Sequence, residues 1–131
     1  MRTLATQMRL RRLLRVQADY DQRLAAEGSA AGPLAAAAST RLLQLLQDVR
    51  TTWARESEGV ELAGLRAHVQ RSFAAMEGAA AAMAWSGADP SRLGAELRDA
   101  GVPLVFFLRG LDDSDAPVLA ELAGRSLARS A

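Results

Sequence analysis

Hydrophobic positions recur along the chain at helical rather than strand intervals. Between Thr3 and Glu27, the residues Leu10, Leu13, Leu14, Tyr20 and Leu24 fall near one side, leaving Arg9, Arg12, Arg15 and Asp19 to face water. The pattern predicts an amphipathic helix. The following stretch, Gly28-Ser29-Ala30-Ala31-Gly32-Pro33, combines two glycines with a proline, which removes a backbone donor and raises chain entropy. A hinge is expected there, at 28–33.

From about Leu34 to Glu58, Leu42, Leu45, Leu46, Val49 and Trp53 repeat at helical intervals, with Leu43 widening the stripe. After Gly59 a third segment shows Leu62, Leu65, Val69, Phe73, Met76, Ala80 and Met83, spaced mainly by three and four. The short Ser57-Glu58-Gly59 link makes these two helices antiparallel neighbours. The run Ala79 to Ala82 has so little side-chain bulk that another backbone can approach it closely. Trp85-Ser86-Gly87 should stop the third helix, its aromatic ring covering the end of the bundle.

Asp89-Pro90 supplies the next start, an N-cap acceptor followed by proline at the first helical position. Leu93, Leu97 and Ala100 then face inward until Gly101, which reads as a C-cap. In the apolar run 102–111, helix and strand compete, because a short continuous run fits either when buried. No second strand is evident elsewhere, and a lone strand would leave its backbone groups unsatisfied. The expectation is a short buried helix. Asp112-Asp113-Ser114-Asp115-Ala116-Pro117 carries capping residues ahead of a proline, so a last helix should run from about Ala116 to Ala128. It would bury Val118, Leu119 and Leu122, with Leu127 as a further candidate. The predicted fold is all-α, a small bundle of five to six helices in a single domain over 1–131: an N-terminal helix at 1–27, the hinge, and a bundle at 34–131.

Composition supports this picture. Half of the 131 residues are hydrophobic and only 5% aromatic, and the strong helix formers Ala, Leu, Arg, Glu and Gln dominate. All sixteen basic residues are Arg, a skew that a GC-rich bacterial genome explains without any functional enrichment. Fifteen acidic residues leave a formal net charge of +1, which gives no bulk-charge argument for nucleic acid or membrane. No apolar h-region follows the N-terminal arginines, and the longest strictly apolar run, Leu104 to Leu108, is too short to cross a bilayer. A cytoplasmic protein with no membrane partner is expected.

The residues that carry chemistry are few. Without cysteine there is no disulfide, thiol nucleophile or iron–sulfur cluster, and one histidine cannot build a His-based metal site. The cluster Asp112, Asp113 and Asp115 lacks the glycine and distal glutamate of a calcium loop, and helix capping accounts for it. No nucleophile elbow, P-loop or dinucleotide fingerprint occurs, and the Glu56/Glu58 pair sits beside a turn without apolar enclosure. The chain reads as a non-enzyme with no metal and no cofactor.

The single histidine, His68, lies on the third helix with Gly64 four residues behind and Ser72 four ahead, so the imidazole stands in a small-residue clearing. Arg71 follows at i+3. Ala67-His68-Val69-Gln70-Arg71-Ser72-Phe73-Ala74-Ala75-Met76-Glu77-Gly78 resembles the motif of histidine phosphotransfer (HPt) domains. These carry a basic residue at +3 from the histidine, a small one at +4, Ala near +6 and Gly near +10. Gln70 and Glu77 depart from that pattern, standing where the family is usually apolar. The resemblance implies a four-helix bundle, a phosphoacceptor at His68, charge neutralisation by Arg71, clearance at Ser72, and a receiver domain as partner.

Leu13, Leu14, Leu42, Leu43, Leu45 and Leu46 spread over more than one narrow seam, and a domain this small buries only about two-thirds of its unfolded surface. The leading expectation is therefore a helical adaptor. It would be of secretion-chaperone, assembly-adaptor or regulatory-subunit type, binding a partner protein or a second copy of itself. The N-terminal helix supplies the candidate partner-binding residues Leu10, Leu13, Leu14, Tyr20, Leu24, Arg9, Arg12 and Arg15. Phosphorelay through His68 is the alternative. A third course, nucleic-acid binding by Arg9, Arg11, Arg12 and Arg15, is disfavoured because no aromatic is interleaved before Tyr20 to stack on a base.

Overall fold

Four long helices are present among the residues described by the computed structural model, 2–28 and 31–113: α1 (Leu4–Glu27), α2 (Gly32–Glu56), α3 (Ala63–Ala82) and α4 (Pro90–Asp113). They pack cyclically, each against the next, with α4 closing on α1. Cross-helix bonds fix every neighbour as antiparallel: Thr6 at the start of α1 meets Glu56 at the end of α2, and Thr3 meets Asp112 at the end of α4. His68 early in α3 lies against Phe107 late in α4. The molecule is a small all-helical bundle, and no strand occurs among the described residues.

The core follows the apolar periodicity. Leu10 and Leu13 of α1, Leu42, Leu46 and Val49 of α2, Leu65, Val69, Phe73 and Met76 of α3, and Leu97, Leu104, Leu108 and Leu111 of α4 are essentially sealed from water. Ala79, Ala80 and Ala82 are buried in the same core as Ala38. Asp89 caps α4 by accepting from the Ser91 and Arg92 amides at 3.2 and 3.3 Å, and Pro90 occupies the first helical position where its missing donor costs nothing. Between α2 and α3, Ser57 Oγ donates to the Trp53 carbonyl at 2.6 Å and Gly59 takes a positive φ of 79°, so the chain reverses within a few residues.

Two expectations need correction. The helix does not end at Gly101; α4 runs unbroken from Pro90 to Asp113, so the short helix expected at 102–111 is its second half. Gly101 is buried because α4 approaches α1 and α3 closely there. A Cβ at this position would stand 2.8 Å from Leu14 Cδ2 and 3.1 Å from Met76 Cε. Pro103 is tolerated inside the helix because it lies on the exposed side, where water can serve the Asp99 carbonyl that loses its backbone donor. The described residues hold four helices, and the helix expected at 116–128 lies outside them. Second, Trp85 does not cover the bundle end: it is 69% exposed.

Gly28 terminates α1 at φ 58° with its amide donating to the Leu24 carbonyl, and α2 begins at Gly32. The stretch expected as a hinge, 28–33, thus takes in the end of α1 and the first two residues of α2, with 29 and 30 outside the described residues.

Candidate functional site

The α1–α4 seam differs from the rest of the bundle in being held by polar clusters at its two ends and left apolar and open between them. At one end, Asp112 from the last turn of α4 accepts from the Thr3 amide at 2.9 Å and from Gln7 Nε2 at 2.9 Å. Thr3 Oγ1 lies 3.0 Å from the same carboxylate and 3.3 Å from the Leu108 carbonyl. Glu56 from α2 accepts from the Ala5 and Thr6 amides at 3.2 and 2.6 Å and also bonds the Thr6 hydroxyl. The free amides of the first turn of α1, which has no acidic residue and no capping side chain of its own, are therefore met by carboxylates from two other helices.

At the other end, Gln17 is fully buried and its Nε2 donates to Asp21, which also pairs with Arg98 at 3.1 Å. Both lie against Gly94, where a Cβ would crowd Asp21 and come within 3.0 Å of Gln17 Nε2. Gln17 Oε1 and Asp21 Oδ1 are buried without a hydrogen-bond partner. Burial raises the Asp21 pKa above the usual carboxylate value, against the opposing pull of Arg98 and of the Gln17 hydrogen bond.

Between these clusters a groove of about 310 Å³ opens on the outer side of the seam, lined by Arg11, Leu14, Arg15, Val102, Val105 and Phe106. Phe106 is 64% exposed and Val102 42%. Leu4 and Met8, 61% and 59% exposed, share one stripe of α1 with Arg11 and Arg15 by their i, i+4, i+7, i+11 spacing. Among the described residues, Arg2, Arg11, Arg12 and Arg15 are exposed and make no ion pair, whereas Arg9 reaches Asp48 on α2 at 3.4 Å. The surface combines apolar side chains that water would rather not cover with cations that make no ion pair among the described residues.

The structure divides the predicted partner-binding set. Leu10, Leu13 and Leu24 are buried in the bundle's own core, and Tyr20 is half-buried beneath Arg23, whose guanidinium lies 5.3 Å from its ring. Leu14, Arg12 and Arg15 reach the outer surface, with Leu14 and Arg15 in the groove wall. Leu42, Leu45 and Leu46 are also sealed and Leu43 is partly so, which shows that four packed helices absorb the wide leucine stripe. The exposed apolar residues are others: Leu4, Met8, Val102 and Phe106. For Phe106 the signal was present in the sequence, since Leu97, Gly101, Leu104, Leu108 and Leu111 continue one helical stripe from which Phe106 is excluded.

His68 sits on the α3–α4 side, half-buried, its ring centroid 4.3 Å from that of Phe107 and the planes tilted by 60°. Burial lowers its pKa from the ordinary histidine value, favouring the neutral imidazole. Arg71 is exposed, and half-buried Ser72 donates back to the His68 carbonyl at 3.3 Å. Gln70 and Glu77 face α2 instead. There Arg50 donates to them at 3.0 and 2.6 Å, which neutralises Glu77 away from the histidine. No group of three or more metal-ligating side chains occurs among the described residues, and no described helix is long and apolar enough to cross a membrane.

Fold and surface together define an antiparallel four-helix bundle with an open apolar–arginine seam. Compared with protein-family models, curated proteins and solved structures, the chain matches none.

Proposed function

We propose that this chain is a non-catalytic interaction module that seats an amphipathic helix of a partner protein in the groove between α1 and α4. Apolar side chains of the incoming helix would cover Leu14, Val102, Val105 and Phe106, while its carboxylates would meet Arg11 and Arg15. The observation that carries this is an exposed phenylalanine beside two arginines that make no ion pair among the described residues. Aromatic and arginine side chains are the types that dominate binding energy at protein interfaces. Secretion chaperones, assembly adaptors and regulatory subunits work in this way, and a cytoplasmic setting suits them. A hinge at 28–33 would let α1 shift against α4 and widen the groove.

The test is capture of partners from the native cell extract by the full chain and by Phe106→Glu. Loss of a specific partner with an unchanged melting curve supports the proposal. A monomer in sedimentation that retains nothing, or a partner held equally by Phe106→Glu, refutes it.

A second function, phosphorelay, is supported by the antiparallel four-helix bundle together with a half-exposed His68 held neutral. A neutral imidazole nitrogen can attack the phosphorus of an aspartyl phosphate on a receiver domain. The P–O bond to the carboxylate breaks, a P–N bond forms, and the other ring nitrogen sheds its proton. Arg71 would balance the added charge. Incubation with a phosphorylated receiver should give acid-labile phosphate on the wild type and none on His68→Gln; equal labelling of both removes this function.

A further inference from the structure

We infer that the chain pairs with a second copy of itself through the face where α3 ends and α4 begins, each Trp85 indole seated in a hollow beside the other copy's Trp85. This face is separate from the α1–α4 groove, and the inference does not rest on the proposed function. The hollow, of about 460 Å³, has Gly78 and Ala82 on its α3 side, Arg92, Leu93 and Glu96 on its α4 side, and the 85–88 turn at its rim. Its volume is in the range that holds a small organic molecule. Trp85 stands on that rim and is largely exposed, so the patch carries a bulky apolar knob directly beside a hole.

A two-fold axis requires a surface complementary to itself, and this one is so in shape and in charge. Rotation about an axis between knob and hole sets each indole in the other copy's hollow. The same rotation brings Arg92 of one copy to Glu96 of the other. Within their own helix these two are exposed and 3.8 Å apart, with Arg ahead of Glu, the weaker order for a pair four residues apart, so both can take an intermolecular partner. The α1–α4 groove lacks this property, because its Arg11 and Arg15 would meet like charges in a second copy. Gly78 adds an independent sign. A glycine inside a helix weakens it, yet nothing among the described residues lies within 4 Å of where its Cβ would stand. The fold does not require that glycine, whereas an open floor for an incoming indole does. Two exchanged indoles, with the surfaces they cover, remove roughly 600–1,000 Å² from water, less than the about 1,200 Å² at which stable interfaces begin. The dimer is therefore weak, with a dissociation constant above about 1 μM.

Sedimentation of the full chain from low micromolar to near-millimolar concentration should show a monomer passing to a dimer. Over the same range acrylamide quenching of the fluorescence should fall, because Trp85 becomes shielded while Trp53, the other tryptophan, is buried throughout. Trp85→Ala removes the knob and Gly78→Leu fills the hole. Each should weaken association by about tenfold or more without lowering the melting temperature of the dilute protein, since both positions are exposed. Arg92→Glu and Glu96→Arg should each weaken it by setting like charges together, and the double exchange should restore it. A monomer at every concentration, a dimer that Trp85→Ala leaves intact, or a double exchange that fails to restore association would overturn the inference. So would a dimer lost in Phe106→Glu and kept in Trp85→Ala, which would place self-association in the α1–α4 groove.

Discussion

The α2–α3 seam and the α1–α4 seam are both antiparallel helix pairs of similar length, yet they end in opposite conditions at the surface. Along α2–α3, Arg50 spans the boundary: it pairs with Glu77, bonds Gln70, and lies 5.2 Å over the ring of Phe73. One long side chain satisfies the charge and covers the aromatic. Along α1–α4 the cross-helix polar bonds are spent at the two ends, capping α1 and holding Asp21. Gly94 makes room for Asp21 at one of those ends, and Gly101 makes room for Leu14 between them. Among the described residues, nothing on the seam's outer side does for Phe106 what Arg50 does for Phe73. One seam is covered by a side chain that spans it, and the other leaves an open surface among the described residues.

The two phenylalanines give the widest separation. Phe73→Ala should cost about 3–5 kcal/mol of stability, since the ring is fully buried and its loss leaves a cavity. Phe106→Ala should stay within about 0.5 kcal/mol of wild type while weakening partner capture. Urea unfolding of both variants measures this. A large loss of stability in Phe106→Ala would mean that its ring already has an intramolecular place.

The polar contacts should separate in the other direction. Asp112→Ala strips acceptors from the Thr3 amide and from Gln7, both on buried residues, and should cost about 1–3 kcal/mol. Glu77→Ala breaks a partly exposed pair and should cost less than about 1 kcal/mol. Equal losses would show that the carboxylate cap on α1 matters no more than a surface ion pair.

Much of the bundle was legible from spacing alone. The stripes Leu42–Leu45–Leu46–Val49–Trp53 and Leu65–Val69–Phe73–Met76 are local patterns that only a helix turns to one side, and Asp89-Pro90 is a start signal complete within four residues. What could not be read was non-local. Gly101 carries the same letter whether it ends a helix or admits a neighbouring one, and only Leu14 and Met76 from other helices decide which. The caps of α1 come from Glu56 and Asp112, about 50 and 109 positions away, so no window around Thr3 contains them. For the site, the arginine cluster was visible in sequence. Its apolar half was assigned to Leu10, Leu13 and Leu24 because a wide leucine stripe looks like surplus until four helices are there to bury it.

Glycine substitutions probe how tightly the two halves are drawn. Gly78 on α3 has nothing within 4 Å of a Cβ, so Gly78→Ala should stabilise by up to about 1 kcal/mol through helix propensity. Gly101→Ala gains the same propensity but presses on Leu14 and Met76, and should come out about 1–2 kcal/mol less favourable than its counterpart. Thermal melts of the two variants decide it, and identical shifts would mean that α4 can move away from α1 without cost.

The smallest effect belongs to Asp21, and its sign comes from burial. Because burial raises its pKa in the folded state, the protonated carboxyl is the form the fold prefers. That preference stabilises fully below the unfolded-state carboxylate value, about pH 4, and is lost as the pH rises through the higher folded value. Asp21→Asn keeps an oxygen to accept from Gln17 Nε2 and removes the charge, at the expense of the partly exposed pair with Arg98. Its stability relative to wild type should therefore improve by less than about 1 kcal/mol between pH 3 and pH 7, discounted because the site is only partly buried. Urea midpoints measured across that range would show the two curves drawing apart with rising pH. Curves that instead separate in favour of wild type would mean that the Arg98 pair outweighs burial, and that this end of the seam is held as firmly by charge as the Arg50 side of the bundle.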